Sequence, residues 1–282
     1  MSETQPRPPD FADPPVIEVA LSVQFESLSG FGTPHIGLLW SEFRNEFPRT
    51  EEHPPRPSVI ERFGVRRAPK PDFRVEAAFP VPQCRFLNDG GTELIQIQQD
   101  RFVHNWRKVG QGDVYPRYEF VRRRFEEELG IFHRFLAREN LGELIPNQCE
   151  VTYVNHIISG TGWERHGELG EILTVWKTRY SDAFLSEPED IVLRFRYIIP
   201  DADGNPRGRL LVSADPAYRT EDDRPIYVLV LTARGSPIGA GVYGALSFLD
   251  IGREWIVRGF TSLTSSRMHE IWGRRNAHDP SL

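Results

Sequence analysis

Lysine is nearly missing from this 282-residue chain: Lys70, Lys108 and Lys177 stand against thirty-one arginines. Such a bias can signal phosphate chemistry, because a guanidinium fork meets phosphate in two bonds at once. Forty acidic side chains outweigh the bases, however, and the formal net charge is −6. That excludes a globally cationic, histone-like protein and leaves room only for a local basic patch. Cysteine is almost as scarce. Cys84 and Cys149 share no CxxC spacing, which argues against a disulfide framework and a zinc site and suits thiols in a reducing cytosol. No apolar run approaches the roughly 18 residues of a membrane span. The longest, around Ile191–Pro200 and Ile226–Ala233, have strand length. The opening residues lack a basic stretch followed by an apolar one, so no signal peptide is expected. Their prolines indicate a disordered or extended lead-in over residues 1–14.

What is present is periodic pattern. Val16–Glu26 alternates in part and predicts a strand, and His35–Phe47 places Leu39, Phe43 and Phe47 on one helical stripe. Pro48–Pro57 predicts a loop. Strands are expected near Phe73–Phe79, Cys84–Leu87, Leu94–Gln99 and Arg101–Trp106, with Asn88-Asp89-Gly90-Gly91 as a hairpin turn. A long helix over Tyr118–Glu139 aligns Val121, Phe125, Leu129, Phe132 and Leu136. The order then repeats. Glu150–Ser159 predicts a strand, and Glu168–Tyr180 contains a predicted helix with Leu169, Leu173 and Trp176 aligned. Strands follow at Ile191–Ile199, Arg209–Ala214 and Ile226–Ala233, then a long helix from Val242 and a last turn, Ser266–Arg274. The pattern predicts an α+β fold built by tandem duplication of a β-α-β(3–4)-α unit, residues 15–144 and 145–282. Its antiparallel sheet would carry the long helices on one face. Two unrelated α+β halves or one mixed sheet remain open alternatives. The saddle of the TATA-binding protein is a precedent for the order, by topology alone.

Few motifs carry chemistry. Gly239-Ala240-Gly241-Val242-Tyr243-Gly244 matches GxGxxG, but no further strand with a ribose-binding acid follows it. Asp201-Ala202-Asp203-Gly204-Asn205 starts like a calcium loop, yet Pro206 and Val212 occupy the positions that need Gly and Glu. His156 and His166 are scattered histidines without ligand spacing, and Arg122-Arg123-Arg124 before Glu126-Glu127-Glu128 predicts a solvated helix face. Arg62, Arg66, Arg67 and Lys70 form a basic run that is either a charged loop or a phosphate-facing patch. No GxSxG, P-loop or HExxH motif is present, and neither a cofactor nor a metal is expected.

The distinctive stretch is Leu94–Arg107. Gln96 and Gln98 share one strand face, and Asp100, Arg101, Asn105, Trp106 and Arg107 follow within a few residues. They could form a polar recognition surface, or an internal structural network. Four segments carry a resemblance: Pro14–Val19, Gln96–Phe102 with Asn105-Trp106-Arg107, Tyr115-Pro116-Arg117-Tyr118, and Met268-His269-Glu270-Ile271-Trp272-Gly273-Arg274. Together the chain resembles an uncharacterised, sporadically distributed bacterial protein family of about this length. The resemblance implies an accessory gene of mobile or defence-related loci and supplies no catalytic residues.

The leading expectation is a cytoplasmic, non-enzymatic binding or regulatory protein with a protein or small-molecule partner. Its candidate surface is Gln96, Gln98, Asp100, Arg101, Asn105, Trp106 and Arg107, with His269 and Trp272. Nucleic-acid binding through an arginine-lined sheet face bearing Arg194 and Arg196 is a rival. An enzyme using Asp100, His104 or His269 as acid–base groups is another. No membrane association is expected, and a homo-oligomer is left open. The arginines are spread over helix faces, strand edges and loops, as coding bias would spread them, which singles out Arg101 and Arg107 for test.

Overall fold

The computed structural model describes residues 7–64, 81–176 and 183–275. In the first half it places β1 (Asp10–Phe11), β2 (Val16–Phe25), α1 (Thr33–Phe43), β3 (Arg49–His53), β4 (Gln83–Leu87), β5 (Glu93–Gln98), β6 (Arg101–Arg107) and α2 (Tyr118–Arg138). The second half holds β7 (Pro146–Ile158), α3 (Leu169–Ile172), β8 (Leu193–Pro200), β9 (Pro206–Tyr218), β10 (Pro225–Gly235) and α4 (Gly241–Leu263). It closes with α5 (Ser266–Ile271) and β11 (Arg274–Arg275).

Nine strands form one antiparallel sheet in the order β3-β4-β5-β6-β2-β7-β10-β9-β8. The first strand of each half, β2 and β7, pair at the centre, and the later strands of each half add outward in reverse order. This is the α+β architecture that the repeated pattern predicts. The matching order is a fact of topology and leaves the expected common origin of the halves where the sequence put it.

Alternation along the strands decides which face the helices cover. Val19, Leu21, Val23 and Phe25 of β2 are buried on one face, and α2 lays Val121, Phe125, Leu129, Phe132 and Leu136 against that side. Phe102 of β6 stacks on Phe132 with ring centroids 5.5 Å apart and meets Phe125 at 6.0 Å. In the second half α4 buries Leu246, Leu249, Ile256, Phe260 and Leu263 over β7 and β10. The opposite face of β2 carries Glu18, Ala20, Ser22 and Gln24, and no helix packs there among the described residues.

Several expectations need correction. Arg49–His53, read as loop, is the edge strand β3; its register against β4 supplies a hydrogen-bonded ladder that its polar sequence does not advertise. Of the helix expected within Glu168–Tyr180, the described residues up to Trp176 form only a 3₁₀ turn, His166–Glu168, and the four residues of α3; residues 177–180 lie outside the described residues. Leu173 leaves it extended and bridges to Thr264, so Trp176 does not continue a stripe. Within the lead-in, Asp10 and Phe11 pair with Arg275 and Arg274 in a two-stranded clasp, and Phe11 is buried. The strand expected near Phe73–Phe79 and residues Arg66, Arg67 and Lys70 lie outside the described residues.

One packing device is specific. Gly208 and Gly235 are register partners at the ends of β9 and β10, and both face the fully buried ring of Phe248 on α4. A Cβ on Gly235 would overlap that ring and come 2.8 Å from the Arg207 carbonyl. Gly235→Ala is therefore expected to destabilise the chain by about 1–3 kcal/mol through overpacking. A lowered urea midpoint would show it, and the loss should shrink in a Phe248→Leu background.

Candidate functional site

The uncovered face of the sheet is polar, and its polar groups are largely buried. Gln98 on β5, Arg101 on β6, Gln24 on β2 and Gln148 on β7 are direct cross-strand neighbours, forming one row over four adjacent strands. All three glutamines are at most 4% exposed, so each amide needs a partner within the protein.

The partner is the extended segment 54–64. The Gln98 amide clasps Arg56 from both sides: Oε1 accepts from the Arg56 N–H at 3.1 Å, and Nε2 donates to the Arg56 carbonyl at 2.9 Å. The Val59 N–H donates to Gln24 Oε1 at 2.9 Å, and the Glu61 N–H donates to Gln148 Oε1 at 2.8 Å. Arg101 donates to the Pro57 carbonyl at 3.1 Å and to Gln24 Oε1 at 2.8 Å. Beyond β7 the segment is anchored by charge. Arg209 of β9 and Arg234 of β10 both bind the Glu61 carboxylate, and Arg209 also donates to the Arg62 carbonyl and stacks over Phe63. The strap thus crosses six strands.

Elementary dimensions explain the spacing. Strands lie about 4.8 Å apart, so β5 to β7 spans about 14 Å. A nearly extended chain advances about 3.1–3.3 Å per residue, and the five steps from Arg56 to Glu61 cover about 16 Å. An extended strap places the amides of Arg56, Val59 and Glu61 at the three glutamines in turn. Pro54, Pro55 and Pro57 favour that conformation by fixing φ. The contacts fall on strap backbone while Val59 and Ile60 stay exposed, so the row holds the path of a chain and reads few of its side chains.

The other sequence candidates divide. Gln96 and Asn105 lie on the same open face in a relay: Gln83 donates to Gln96 at 3.0 Å, Gln96 to Asn105 at 2.6 Å, and Asn105 to Glu18 at 2.5 Å. Asp100 accepts from Gln98 Nε2 at 2.5 Å. Arg107 donates to the Gly91 carbonyl at 2.8 Å and ties down the hairpin turn. Trp106 points to the helix side, against Tyr115. His269 and Trp272 do not join this stretch; they pack with Phe11, Phe260 and Thr264 on the helix side.

The three proposed acid–base groups are likewise apart. His104 is fully buried under α2, its Nδ1 2.8 Å from Glu128, while Asp100 is on the open face and His269 near α5. Glu128 corrects the solvated-face reading of the acidic triplet: Glu126 and Glu127 are exposed, but Glu128 is 2% exposed and also pairs with Arg124 at 3.3 Å. Burial pushes the Cys84 thiol up to about 11 and the Cys149 thiol to about 12, which keeps both unreactive near neutral pH. Burial, helped by Arg274, lowers His269. Among the described residues no cluster of three or more His, Cys, Asp or Glu could hold a metal ion. The GxGxxG stretch runs through the N-cap Ala240 into the first turn of α4, where the Gly244 N–H donates to the Ala240 carbonyl and the Gly244 carbonyl accepts from the Ile238 N–H. Asp201–Asn205 is a hairpin turn, with Asp201 Oδ1 accepting from the amides of Asp203 and Asn205. No helix among the described residues is long and apolar enough to cross a membrane.

Sequence reasoning missed Gln24, Gln148, Glu61, Arg209 and Arg234 as site residues. The available signal was a glutamine in the non-core phase of a strand, as Gln24 is within Val16–Phe25. The clasp makes a local expectation: Gln148→Ala should speed hydrogen exchange of the Glu61 amide while the Arg56 amide, held by Gln98, keeps its protection, as read by amide exchange at single-residue level. No protein-family model, curated protein or solved structure matches this chain, so the family resemblance is carried by its motifs alone.

Proposed function

We propose that this chain is a non-enzymatic binding or regulatory protein whose polar sheet face recognises an extended, acid-bearing polypeptide, with its own strap as the resident occupant. The observation that carries the reading is the row Gln98, Gln24 and Gln148, which bonds backbone groups of Arg56, Val59 and Glu61 in turn. Side-chain amides that bind backbone accept many sequences, as main-chain recognition does. The Arg209 and Arg234 pair adds selectivity for a carboxylate at one place along the peptide. A cytoplasmic location belongs to the same proposal and is supported by two buried, unpaired thiols.

The nucleic-acid reading has less support because most of the arginines on that face are engaged; Arg196 is exposed and forms no ion pair among the described residues. Arg194 faces Asp215 at 3.7 Å, Arg209 binds Glu61, and Arg234 binds both Glu150 and Glu61.

A strap held in cis competes at an effective concentration on the order of millimolar, so a peptide in trans meets an occupied face in the native chain. The test is fluorescence anisotropy with a labelled peptide of residues 54–64. Glu61→Ala, which frees Arg209 and Arg234, is expected to expose the face and bind the peptide, whereas the native chain binds little. Adding Gln24→Ala should weaken that binding by about tenfold or more. No binding to folded Glu61→Ala, or binding indifferent to Gln24→Ala, would overturn the reading.

A further inference from the structure

Between strap and sheet lies a cavity of about 250 Å³, below the range of about 300–1,000 Å³ usual for small-molecule sites. It has room for a compact group rather than a cofactor. Its sheet side is lined by Ser22, Gln24, Arg101, Gln148, Glu150 and Arg234, and its roof by Arg56, Pro57 and Val59 of the strap.

Two features of this lining are incomplete. Arg101 is a partly buried cation whose guanidinium bonds only neutral oxygens, those of Gln24 and Pro57. Among the described residues no carboxylate comes within ion-pairing distance of it, although buried charges are as a rule paired. Burial lowers the Arg101 pKa and outweighs the opposing pull of the Asp100 and Glu150 carboxylates, while Arg56 and Arg234 add to the lowering. The second feature is Gln148, 4% exposed, whose Oε1 receives the Glu61 amide while its Nε2 has no hydrogen-bond partner. A buried donor left unmade carries its full desolvation cost. The Ser22 hydroxyl lines the same space. The carboxylate there, Glu150, is already held by Arg234.

We infer that this cavity is a binding site for a small oxyanion, a phosphoryl or carboxylate group, held by Arg101, Gln148 Nε2 and Ser22 and roofed by the strap. One anion supplies the missing counter-charge and the missing acceptor together, and guanidinium plus neutral donors is the set that such a group recognises. The site shares its face with the peptide reading but does not require the strap to leave, so each can fail alone. Occupancy would fasten strap to sheet, since Arg101 and Gln148 hold both.

The test titrates the full ¹⁵N-labelled chain with inorganic phosphate, and in a second arm with acetate, at ionic strength held constant by chloride. The Gln148 side-chain amide resonances should shift saturably, and exchange of the Val59 and Glu61 amides should slow. Saturation by phosphate alone identifies a phosphoryl group, and saturation by acetate a carboxylate. Arg101→Gln should weaken binding about tenfold or more, and Ser22→Ala by a smaller factor. Arg165→Gln, at an exposed arginine, should bind as the native chain does. If Arg101→Gln fails to fold, Ser22→Ala and Gln148→Met decide on the same criterion. Shifts that stay linear in both arms, or affinity unchanged in every folded variant of the lining, would overturn the site.

Discussion

A sheet has two faces, and here helices cover one of them. Every strand residue whose side chain points away from α2 and α4 must find another cover or face water. The central strands place Gln98, Gln24 and Gln148 on that uncovered side, where burial without hydrogen bonds costs on the order of 1–3 kcal/mol per group. The strap answers this constraint. Its amides cannot pair in a ladder, because it runs across the strands, and the glutamines cannot pair with one another and also satisfy both ends. Strap and glutamines complete each other except at Gln148 Nε2, and the register of β5, β6, β2 and β7 holds the row in line.

The two faces consequently hold the fold in different ways. On the helix side, rings and aliphatic chains interdigitate, and the apolar area removed from water is the stabilising quantity. Even there one polar group is unavoidable. His104 points inward because its neighbours Phe102 and Trp106 do, and Glu128 on α2 meets it at 2.8 Å. Such a pair does little for net stability, since desolvation offsets its attraction, yet it fixes how α2 sits over β6. On the open face polar groups form the row under the strap, beside apolar residues such as Val103 and Leu94, and what the row provides is a defined path for a chain.

Much of this architecture was legible in the sequence, and the limits have physical causes. Stripes such as Val121, Phe125, Leu129, Phe132 and Leu136 report a helix because burial repeats every turn. Alternation in Leu193–Pro200 separates Arg194 and Arg196 from Phe195 and Ile199 for the same reason. Edge strand β3 is invisible by that criterion: Arg-Thr-Glu-Glu-His has no apolar phase, and only its pairing with Gln83–Leu87 makes it a strand. The apparent stripe Leu169, Leu173, Trp176 misled because Leu173 is buried by a bridge to Thr264, a contact 91 positions away along the chain. The strap was hidden more deeply. Its bonds join Val59 to Gln24 and Glu61 to Gln148, across 35 and 87 residues, and no local period encodes them. The stretch Leu94–Arg107 stands out in the sequence for its polarity, but adjacency in sequence conceals that Trp106 and Arg101 serve opposite faces.

The arginine bias acquires its meaning at the same place. Several arginines, Arg123, Arg138, Arg165, Arg194 and Arg267 among them, form exposed pairs of the kind worth about 0–1 kcal/mol, and lysine could replace them at little cost. On the open face Arg101, Arg209 and Arg234 each bond two groups at once from one planar fork, as Arg117, Arg122 and Arg124 do elsewhere in the fold. Arg101 bridges Gln24 and Pro57, Arg209 bridges Glu61 and Arg62, and Arg234 bridges Glu150 and Glu61. A lysine ammonium at the end of a flexible stem holds no such fixed geometry. Two of the three forks close on carboxylates and one does not. That asymmetry is local to β6 and the strap, and it makes Arg101 the point on the open face where a negative charge is still wanted.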